Sequence, residues 1–409
     1  MNIALFGGSF DMVHNGHIAI VDALQNYTNE QGQKFDKILV IPANISPFKK
    51  EIYKTSTFNS NYVQNITDEE HKYNMLQLAF ADKVNNGIVE ISRVEIDRDP
   101  PSYTADTIRL IEQQYNNANL TLCMGIDAYH SFERWKEVDY IKQKCNILLL
   151  ARQGITPRQE SLDNSNPKMR ILSVVIPKIS SSSIRVDIVF GKLEQLAPQI
   201  LPQSVVEYIQ KNHLYTNYQY IVDKYQDYHL EPERIEHIER VAQTALEIYC
   251  NTQEPLSAAK VITAALLHDI GKRVSWTTFK DNPKYQPSIF PQINQWQELS
   301  KNVIHAHIGA VIARQDFAIY DKNILKAIKY HTTGKPNMDA LSKVIYLADA
   351  VEPQRKNVDT IRQLALQGDL DRAMYLALQH SIQNLTERKE TIQQVTLDAY
   401  AYYQQLATH

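Results

Sequence analysis

The sequence predicts an α/β protein that begins with a doubly wound parallel sheet and continues as an all-α region. Short apolar, β-branched runs alternate with helix-like segments up to about residue 213. These runs are continuously hydrophobic, which is typical of strands buried on both faces of a parallel sheet. Beyond residue 213, apolar residues recur at helical spacing, as in Leu370, Ala373, Met374, Ala377 and Leu378.

Six runs are predicted strands, and they cover residues 2–6, 37–43, 87–96, 120–126, 146–152 and 171–177. Helix-like segments such as 68–82 and 104–115 stand between them. Strand–helix alternation of this kind builds a doubly wound α/β domain. We therefore divide the chain into a first domain over 1–213, a Tyr-rich linker over 214–230 and an all-α domain over 231–409.

The linker is marked by five tyrosines: Tyr215, Tyr218, Tyr220, Tyr225 and Tyr228. Flexible tethers are rich in Gly and Ser instead, so we expect this segment to pack against a domain. A nucleic-acid stacking platform is the alternative, but no basic cluster accompanies the rings.

Composition excludes several classes of protein. The 409 residues carry 43 basic and 46 acidic side chains, a formal charge of -3, so no net positive field exists to bind nucleic acid, and a local basic pocket stays open as an alternative. No apolar stretch approaches the roughly 18 residues of a membrane span, and no secretory leader is evident. Three widely spaced cysteines do not form a disulfide framework. We expect a cytoplasmic protein without membrane or nucleic-acid partners.

The first candidate site is the segment GGSFDMVHNGH at residues 7–17. Gly7 and Gly8 end the first predicted strand and allow a ligand close to the backbone, and a helix is predicted to begin near Asn15. His14 and His17 are three residues apart, so both can lie on one side of the first turn and donate to a phosphate. The alternative is a capping turn with surface histidines.

This segment resembles the GGSFDPxHxGH signature of nicotinate-nucleotide adenylyltransferases, within the HxGH nucleotidyltransferases. The resemblance continues through the motifs SPFKK (46–50), HKYNMLQLA (71–79), PSYTADT (101–107), GIDAYHSFERW (125–135), ISSSSIR (179–185) and LPQSVVEYI (201–209). It implies a Rossmann-like fold and transfer of the adenylyl group of ATP, with Mg²⁺, to nicotinate mononucleotide. The products would be deamido-NAD and pyrophosphate.

The resemblance also assigns roles to residues. His14 and His17 are the catalytic residues, Asp127 accepts hydrogen bonds from the ATP sugar, Trp135 stacks on the pyridine ring and Thr104 binds its carboxylate. The remaining substrate-binding residues are Gly7, Gly8, Ser9, Phe10, Lys49, Ser180, Ser181, Ser182 and Arg185. Two positions depart from the pattern: Met12 replaces a proline, and Phe48 replaces a histidine before Lys49.

The second candidate site consists of His- and Asp-bearing motifs in the all-α region: HIERV (237–241), LLHDIGK (266–272), HAHIGA (305–310), YHTTGKP (330–336) and YLADAVEPQR (346–355). Imidazole and carboxylate suit Fe, Mn, Zn or Ni, and the absence of nearby Cys argues against a structural zinc site. His268 and Asp269 differ by about 100° around a helix but can converge on one metal. His305 and His307 cannot share a helical face, and we select His305 as the ligand.

These motifs resemble the HD-domain phosphohydrolases, in the bacterial branch that splits diadenosine tetraphosphate into two ADP. The resemblance implies two divalent transition metals, iron or alternatively manganese, held by His237, His268, Asp269, His305, His331 and Asp349. Asp269 and Lys272 would serve catalysis. Arg240, Thr332, Thr333 and Arg355 would bind the polyphosphate.

Three alternatives stay open. The transferase could use another acceptor, such as phosphopantetheine, and the HD region could hydrolyse guanosine polyphosphates or a cyclic nucleotide. The HD region could instead be a nucleotide-sensing module without activity. A homodimer is also open, because nothing in the sequence fixes the oligomeric state.

Overall fold

The structure is a computed structural model that describes residues 1–43, 69–98, 103–129, 132–152, 169–175, 179–216, 218–252, 256–285, 296 and 299–407. These residues fall into two compact units. The sheet unit holds the described residues up to Ile184 together with Gly191–Tyr215. The helical unit holds Arg185–Phe190 and the described residues from Thr216 onward.

The sheet unit is built on a parallel sheet whose described strands are β1 (Asn2–Gly8), β2 (Lys37–Pro42), β3 (Val89–Ile91), β4 (Asn119–Gly125), β5 (Cys145–Arg152) and β6 (Met169–Val174). Their order across the sheet is β3-β2-β1-β4-β5-β6. Every described pairing is parallel, with Phe6 opposite Val40 on one side and Cys123 on the other. This confirms the doubly wound parallel sheet. The order in which successive strands are added reverses between β1 and β4, which makes this the switch point of the sheet.

Helices surround this sheet: α1 (Asn15–Asn26), α2 (Glu69–Ala79), α3 (Ala81–Asn85), α4 (Thr104–Gln114), α5 (Ile126–Tyr129), α6 (Val138–Lys144), α7 (Ser181–Val189) and α8 (Gln203–Lys211). The predicted starts at Asn15 and Thr104 are confirmed. The segment predicted as one helix over 68–82 breaks at Phe80, where backbone angles of φ -111° and ψ 14° leave the helical range.

Two strands differ from their predicted form. The run 87–96 forms a strand only over β3, because beyond it Arg93 turns back to pair with Asp97 at 2.9 Å. The last strand, β6, lies at the sheet edge, where only β5 pairs with it. Its Ile171 is 44% exposed, so the expectation of burial on both faces is wrong for this strand. A continuous apolar run does not distinguish an edge strand from a central one.

The helical unit contains no strand among its described residues, as predicted. Its helices are α9 (Gln219–Asp223), α10 (Pro232–Asn251), α11 (Ala258–Leu267), α12 (Trp276–Lys280), α13 (Lys301–Asp316), α14 (Lys322–Tyr330), α15 (Ala340–Val351), α16 (Asp359–Leu366), α17 (Leu370–Glu387) and α18 (Gln394–Ala407). One continuous core runs through them, with Val241, Leu266, Ile312, Leu347 and Leu378 all buried. No described helix is both long and apolar enough to cross a bilayer.

The tyrosine-rich segment packs on domain cores, as expected. Tyr218 and Tyr225 are buried in the core of the helical unit, and the Tyr225 hydroxyl donates to the Leu266 carbonyl at 2.7 Å. Tyr215 is buried in the sheet unit, where its hydroxyl donates to Asp11 at 2.8 Å. These rings therefore have structural partners within the protein.

Candidate active sites

In the sheet unit, two histidines meet where the chain passes from β1 into α1. Their rings stack with centroids 3.8 Å apart, which confirms that His14 and His17 lie on one side of the first helical turn. His17 Nδ1 accepts a hydrogen bond from the His14 backbone N–H at 3.2 Å. The ring proton of neutral His17 therefore resides on Nε2, which is left as a donor. Burial, and then the charge of His14, hold the pKa of His17 well below its ordinary value.

The two strands beside the switch point both end in glycines. A Cβ added at Gly7 of β1 or at Gly125 of β4 would meet no described atom within 4 Å. Ligands of open α/β sheets bind at this place, beyond the carboxyl ends of the strands. Phe10 packs beneath the turn: its ring is buried and lies edge-on against His17, with centroids 5.0 Å apart. Ser9, which lies between Gly8 and Phe10 in the chain, is exposed.

The serine motif opens α7 and contacts the same turn. Ser181 Oγ donates to the Met12 carbonyl at 3.0 Å, so the start of α7 lies against the segment that carries the histidines. Ser180 caps the helix by accepting from the Ser183 backbone N–H at 3.0 Å. The predicted phosphate-binding hydroxyls of Ser180 and Ser181 therefore already have partners within the protein, and Ser182 lies in the same turn.

The structure brings the two predicted pyridine-binding segments together. Lys136, next to Trp135, lies 4.4 Å from the ring centroid of Tyr103 and 3.2 Å from the Asp106 carboxylate. Those two residues flank Thr104 at the start of α4. Trp135 is half-buried and packs edge-on against Phe132 with centroids 5.3 Å apart. Its indole and the start of α4 thus border one region.

Three predicted residues are not joined to this site by the structure. Lys49, like Phe48, lies outside the described residues, and so does the side chain of Asp127. Arg185 falls in the helical unit, where its charge acts on the Tyr249 hydroxyl. Their roles stay predictions.

In the helical unit, six predicted metal ligands form a buried cluster around Asp269. Its Oδ1 lies 3.1 Å from His305 Nε2 and 3.5 Å from His331 Nε2. Its Oδ2 lies 3.7 Å from His268 Nε2 and 3.9 Å from His237 Nε2. Asp349 completes the set, with Oδ1 3.1 Å from His237 Nε2. The structure therefore brings together all six residues that the resemblance had assigned to metal binding.

Each of the four imidazoles has an outward partner that fixes its tautomer. His268 Nδ1 and His331 Nδ1 each lie 2.7 Å from a backbone carbonyl, and His305 Nδ1 lies 3.4 Å from another. His237 Nδ1 faces the Glu352 carboxylate at 3.5 Å. A ring that donates from Nδ1 keeps its Nε2 lone pair, and all four Nε2 atoms face the centre.

These donors fit divalent metals. Three overlapping sets, His237–His268–Asp269, His268–His331–Asp349 and Asp269–His305–His331, each hold ligand atoms within 4.8 Å of one another. His268 Nε2 is buried without a hydrogen-bond partner in the described structure, which is costly unless a cation binds it. Imidazole and carboxylate donors suit Fe, Mn or Zn. The sharing of His268 and Asp269 between sets fits two adjacent ions.

Electrostatics keep these groups ready to bind a cation. Burial lowers the pKa of His268 to about 4, so the ring is neutral at pH 7. Burial alone would raise the pKa of Asp269, but the neighbouring imidazoles hold it well below the usual range. Burial would also raise the pKa of Asp349, but the adjacent His237 ring and the charge of Arg355 hold it below the usual range. Neutral imidazoles and ionised carboxylates are the forms that bind metals.

Close packing of α13 against the turn after α11 assembles the cluster. A Cβ on Gly271 would lie 2.3 Å from the His305 carbonyl oxygen and 2.7 Å from the Gly309 nitrogen. Only glycine allows this approach, which brings His305 next to Asp269. One expectation is corrected here: α11 ends at Leu267, so His268 and Asp269 lie in the following turn and not around one helix.

Several other predicted residues surround the cluster. Lys272 Nζ lies 3.4 Å from His305 Nε2, and Arg355 donates to Asp349 Oδ1 at 2.7 Å. Thr333 Oγ1 donates to the Gly334 carbonyl at 3.0 Å, whereas Thr332 Oγ1 is buried without a partner in the described structure. His307 points away from the cluster to Trp296, with centroids 5.2 Å apart. The His307 ring is half-buried there.

Sequence reasoning missed two residues. Glu352 is buried and accepts from Arg240 Nε at 2.9 Å while facing His237, so Arg240 supports Glu352 in the structure. Arg234 donates to Asp269 Oδ2 at 2.7 Å. Their spacing in the sequence from the predicted metal ligands could have indicated both residues. Glu352 lies three residues after Asp349, and Arg234 lies one helical turn before His237.

Comparisons with known proteins follow this division. The family described as Cytidylyltransferase-like matches residues 5–187, and the HD domain family matches residues 234–354. A Mycoplasma genitalium protein named probable nicotinate-nucleotide adenylyltransferase/Ap4A hydrolase is 25% identical over 94% of this chain and 99% of its own length. A probable nicotinate-nucleotide adenylyltransferase of Roseiflexus castenholzii is 32% identical over 52% of this chain and 96% of its own.

Two solved structures are also similar. A Clostridium acetobutylicum chain described as a predicted HD superfamily hydrolase involved in NAD metabolism is 30% identical. The match has a TM-score of 0.38 and covers 45% of this chain and 97% of that one. A Plasmodium falciparum nicotinic acid mononucleotide adenylyltransferase complexed with NaAD is 18% identical. That match has a TM-score of 0.41 and covers 52% and 97%.

Proposed function

Since the chain belongs to the nicotinate-nucleotide adenylyltransferases and carries an HD domain after its sheet unit, we propose that it is a bifunctional enzyme with two chemically separate sites. The sheet unit transfers the adenylyl group of ATP to nicotinate mononucleotide, giving deamido-NAD and pyrophosphate. The helical unit hydrolyses diadenosine tetraphosphate symmetrically to two ADP. The name of the Mycoplasma genitalium relative, which spans both units, supports this pairing.

The transferase proposal rests on the stacked His14–His17 pair beside the open ends of β1 and β4. An oxygen of the acceptor phosphate attacks the α-phosphorus of ATP. The bond from that phosphorus to the oxygen bridging to the β-phosphate breaks, and pyrophosphate leaves with the electron pair. The acceptor is already a nucleophile, so catalysis needs alignment and charge neutralisation. His17 Nε2–H is the donor that the structure leaves for this task, and Mg²⁺ accompanies ATP.

An acceptor panel tests the transferase. Pyrophosphate release from ATP is measured with nicotinate mononucleotide, nicotinamide mononucleotide and phosphopantetheine. We expect the highest kcat/KM with nicotinate mononucleotide. A preference for phosphopantetheine would contradict the proposal and support the alternative acceptor.

The hydrolase proposal rests on the four inward-facing Nε2 atoms around Asp269. His237, His268, Asp269, His305, His331 and Asp349 would hold two divalent metals, with iron or manganese proposed. Such ions supply Lewis-acid polarisation of a phosphoryl oxygen and a hydrolytic water of lowered pKa.

The side chains of this site divide the remaining work. Water adds to one of the two central phosphorus atoms, the central P–O–P bond breaks, and the departing ADP takes the electron pair while a proton passes to solvent. Lys272 and Arg355 neutralise charge on the phosphates, and the Thr332 hydroxyl donates to a phosphate oxygen. These three donors beside the histidine and aspartate cluster favour a phosphoanhydride over an uncharged substrate.

Product analysis tests the hydrolase. Metal-free full-length protein is reconstituted with Fe²⁺ or Mn²⁺ and incubated with diadenosine tetraphosphate. We expect ADP as the sole nucleotide product, whereas equal ATP and AMP would contradict symmetrical cleavage. Metal-loaded protein that turns over no nucleotide would favour the sensing module.

A further inference from the structure

A cavity of about 550 Å³ opens beside the metal cluster within the helical unit. His331 and Asp349 of the cluster line it, and so do His380 and Asn384 of α17 and Arg388 directly after that helix. Neither the motifs nor the resemblance had assigned any residue of α17 to a site. The cavity therefore connects the proposed reaction centre to residues that have no established role.

The walls of this cavity are rich in positive charge. Among the described residues that line it, Asp349 is the only acidic one, and Arg355 already pairs with Asp349 at 2.7 Å. Lys356 and Arg388 also line the cavity, and neither has a carboxylate within ion-pair distance in the described parts of the chain. Two uncompensated cations remain in a protein of net charge -3, so an anion is the complementary ligand.

The cavity also offers hydrogen-bonding amides. Gln354, Asn357 and Asn384 line it, and each amide can both donate and accept, as the edges of a nucleobase and a ribose require. The Thr332 hydroxyl, buried and without a partner in the described structure, belongs to another residue that lines this cavity. Pockets for small ligands have volumes of roughly 300–1,000 Å³, and the volume of this cavity falls within that range.

The position of α17 relative to the metal ligands is fixed. Tyr346 lies one helical turn before Asp349 on α15, and its buried hydroxyl hydrogen-bonds Ser381 of α17. Ala377 and Leu378 of the same helix are buried in the core. The packing of α17 therefore anchors Arg388, which directly follows this helix, beside the same cavity as Asp349.

We propose that this cavity binds one nucleoside diphosphate half of the substrate, with Lys356 and Arg388 on its phosphates and the amides on its nucleoside. This inference rests on the proposed hydrolase function and extends it, because it adds residues that select the substrate. When one half is bound in this way, the distance between its nucleoside and the metal site determines which phosphorus atom is attacked.

Binding of ADP to the full-length, Mn²⁺-loaded protein tests this inference by isothermal titration calorimetry. The variants are Lys356→Gln and Arg388→Gln, with Lys389→Gln as the matched control. All three positions are exposed, and Lys389 neighbours Arg388 without lining the cavity. The sheet unit has the same sequence in every variant, so any difference in ADP affinity arises from the helical unit.

We expect ADP to bind roughly tenfold more weakly to Lys356→Gln and to Arg388→Gln, and with unchanged affinity to Lys389→Gln. Wild-type affinity in both cavity variants, or an equal loss in Lys389→Gln, would overturn the inference. If the wild type binds ADP in this pattern yet leaves diadenosine tetraphosphate intact, the nucleotide site stands and the proposed substrate fails. The two claims are thereby separated.

Discussion

At the scale of single residues, the protein uses two tautomers of histidine for two kinds of chemistry. In the sheet unit, His17 Nδ1 accepts from the backbone, so its Nε2 donates to an anion. In the helical unit, the Nδ1 atoms of His268 and His331 face carbonyl oxygens, so their Nε2 lone pairs can bind a cation. The partner of Nδ1 therefore decides which ligand each ring binds.

Glu352 gives the first test at this scale. Its carboxylate faces His237 Nδ1 at 3.5 Å and is itself held by Arg240 at 2.9 Å. We expect Glu352→Gln to weaken Mn²⁺ binding about 10- to 100-fold, because an amide does not fix the ring's orientation and basicity as a carboxylate does. Competition with a chelator measures the affinity directly.

The matched control is Glu387→Gln, which removes an exposed carboxylate at the end of α17. We expect its Mn²⁺ affinity to equal that of the wild type. Equal affinities in Glu352→Gln and in the wild type would show that Glu352 does not support the metal site.

His17 gives a pH-dependent test. Burial lowers the pKa of His17 below its ordinary value of 6.5, so below pH 6.5 the unfolded chain binds more protons than the folded one. The contribution of neutral His17 to stability is present above pH 6.5 and is lost as the pH falls. We expect His17→Gln to reduce the loss of thermal stability between pH 7.5 and 5.5, as measured by differential scanning calorimetry.

His229→Asn is the control for this experiment. His229 is exposed and has a left-handed backbone with φ 52°, which asparagine tolerates. We expect this variant to keep the wild-type pH dependence. A wild-type pH dependence in His17→Gln would instead assign the acid sensitivity to other groups.

At the scale of elements, the close approach of α13 to the turn after α11 determines whether the metal cluster forms. Gly271→Ala would place a Cβ against backbone atoms of His305 and Gly309, which cannot move as a flexible side chain does. We expect a loss of about 2–3 kcal/mol in the free energy of unfolding, together with weaker metal binding. Chemical denaturation and chelator competition measure the two effects.

Gly309→Ala tests the same contact from its other side. Its added Cβ would meet its nearest described neighbours at 3.4–3.5 Å, which is ordinary van der Waals contact. We expect this variant to stay within about 1 kcal/mol of the wild type, as volume changes without strain do. Equal losses in both variants would show that the approach at Gly271 is not specially tight.

The sequence predicts elements well where one local signal decides them, as the agreement on the starts of α1 and α4 illustrates. It fails where the outcome depends on neighbours. The exposure of β6 depends on its edge position, and the end of α11 before His268 depends on packing against α13. Similarly, the six ligands were found through their motifs, whereas Glu352 and Arg234 are recognised only by the atoms that they contact.

At the scale of the whole molecule, overall charge conceals a local pattern. The net charge of -3 argues against a surface that binds a polyanion. Nevertheless, two cations without an ion pair in the described parts of the chain line one cavity of the helical unit. Composition cannot reveal this arrangement, because Lys356 and Arg388 lie on different elements that only the fold brings together. The sheet unit likewise places residues from β1, β4 and α7 at one edge.

The two sets of functional residues lie in separate units, each with its own core. We therefore expect the two proposed activities to be independent. The most direct test measures both activities and the metal content in the wild type, in His17→Ala and in Asp269→Ala. We expect His17→Ala to lose adenylyl transfer and keep hydrolysis, and Asp269→Ala to lose metal and hydrolysis and keep transfer. If either folded variant lost both activities, two independent sites would be the wrong description.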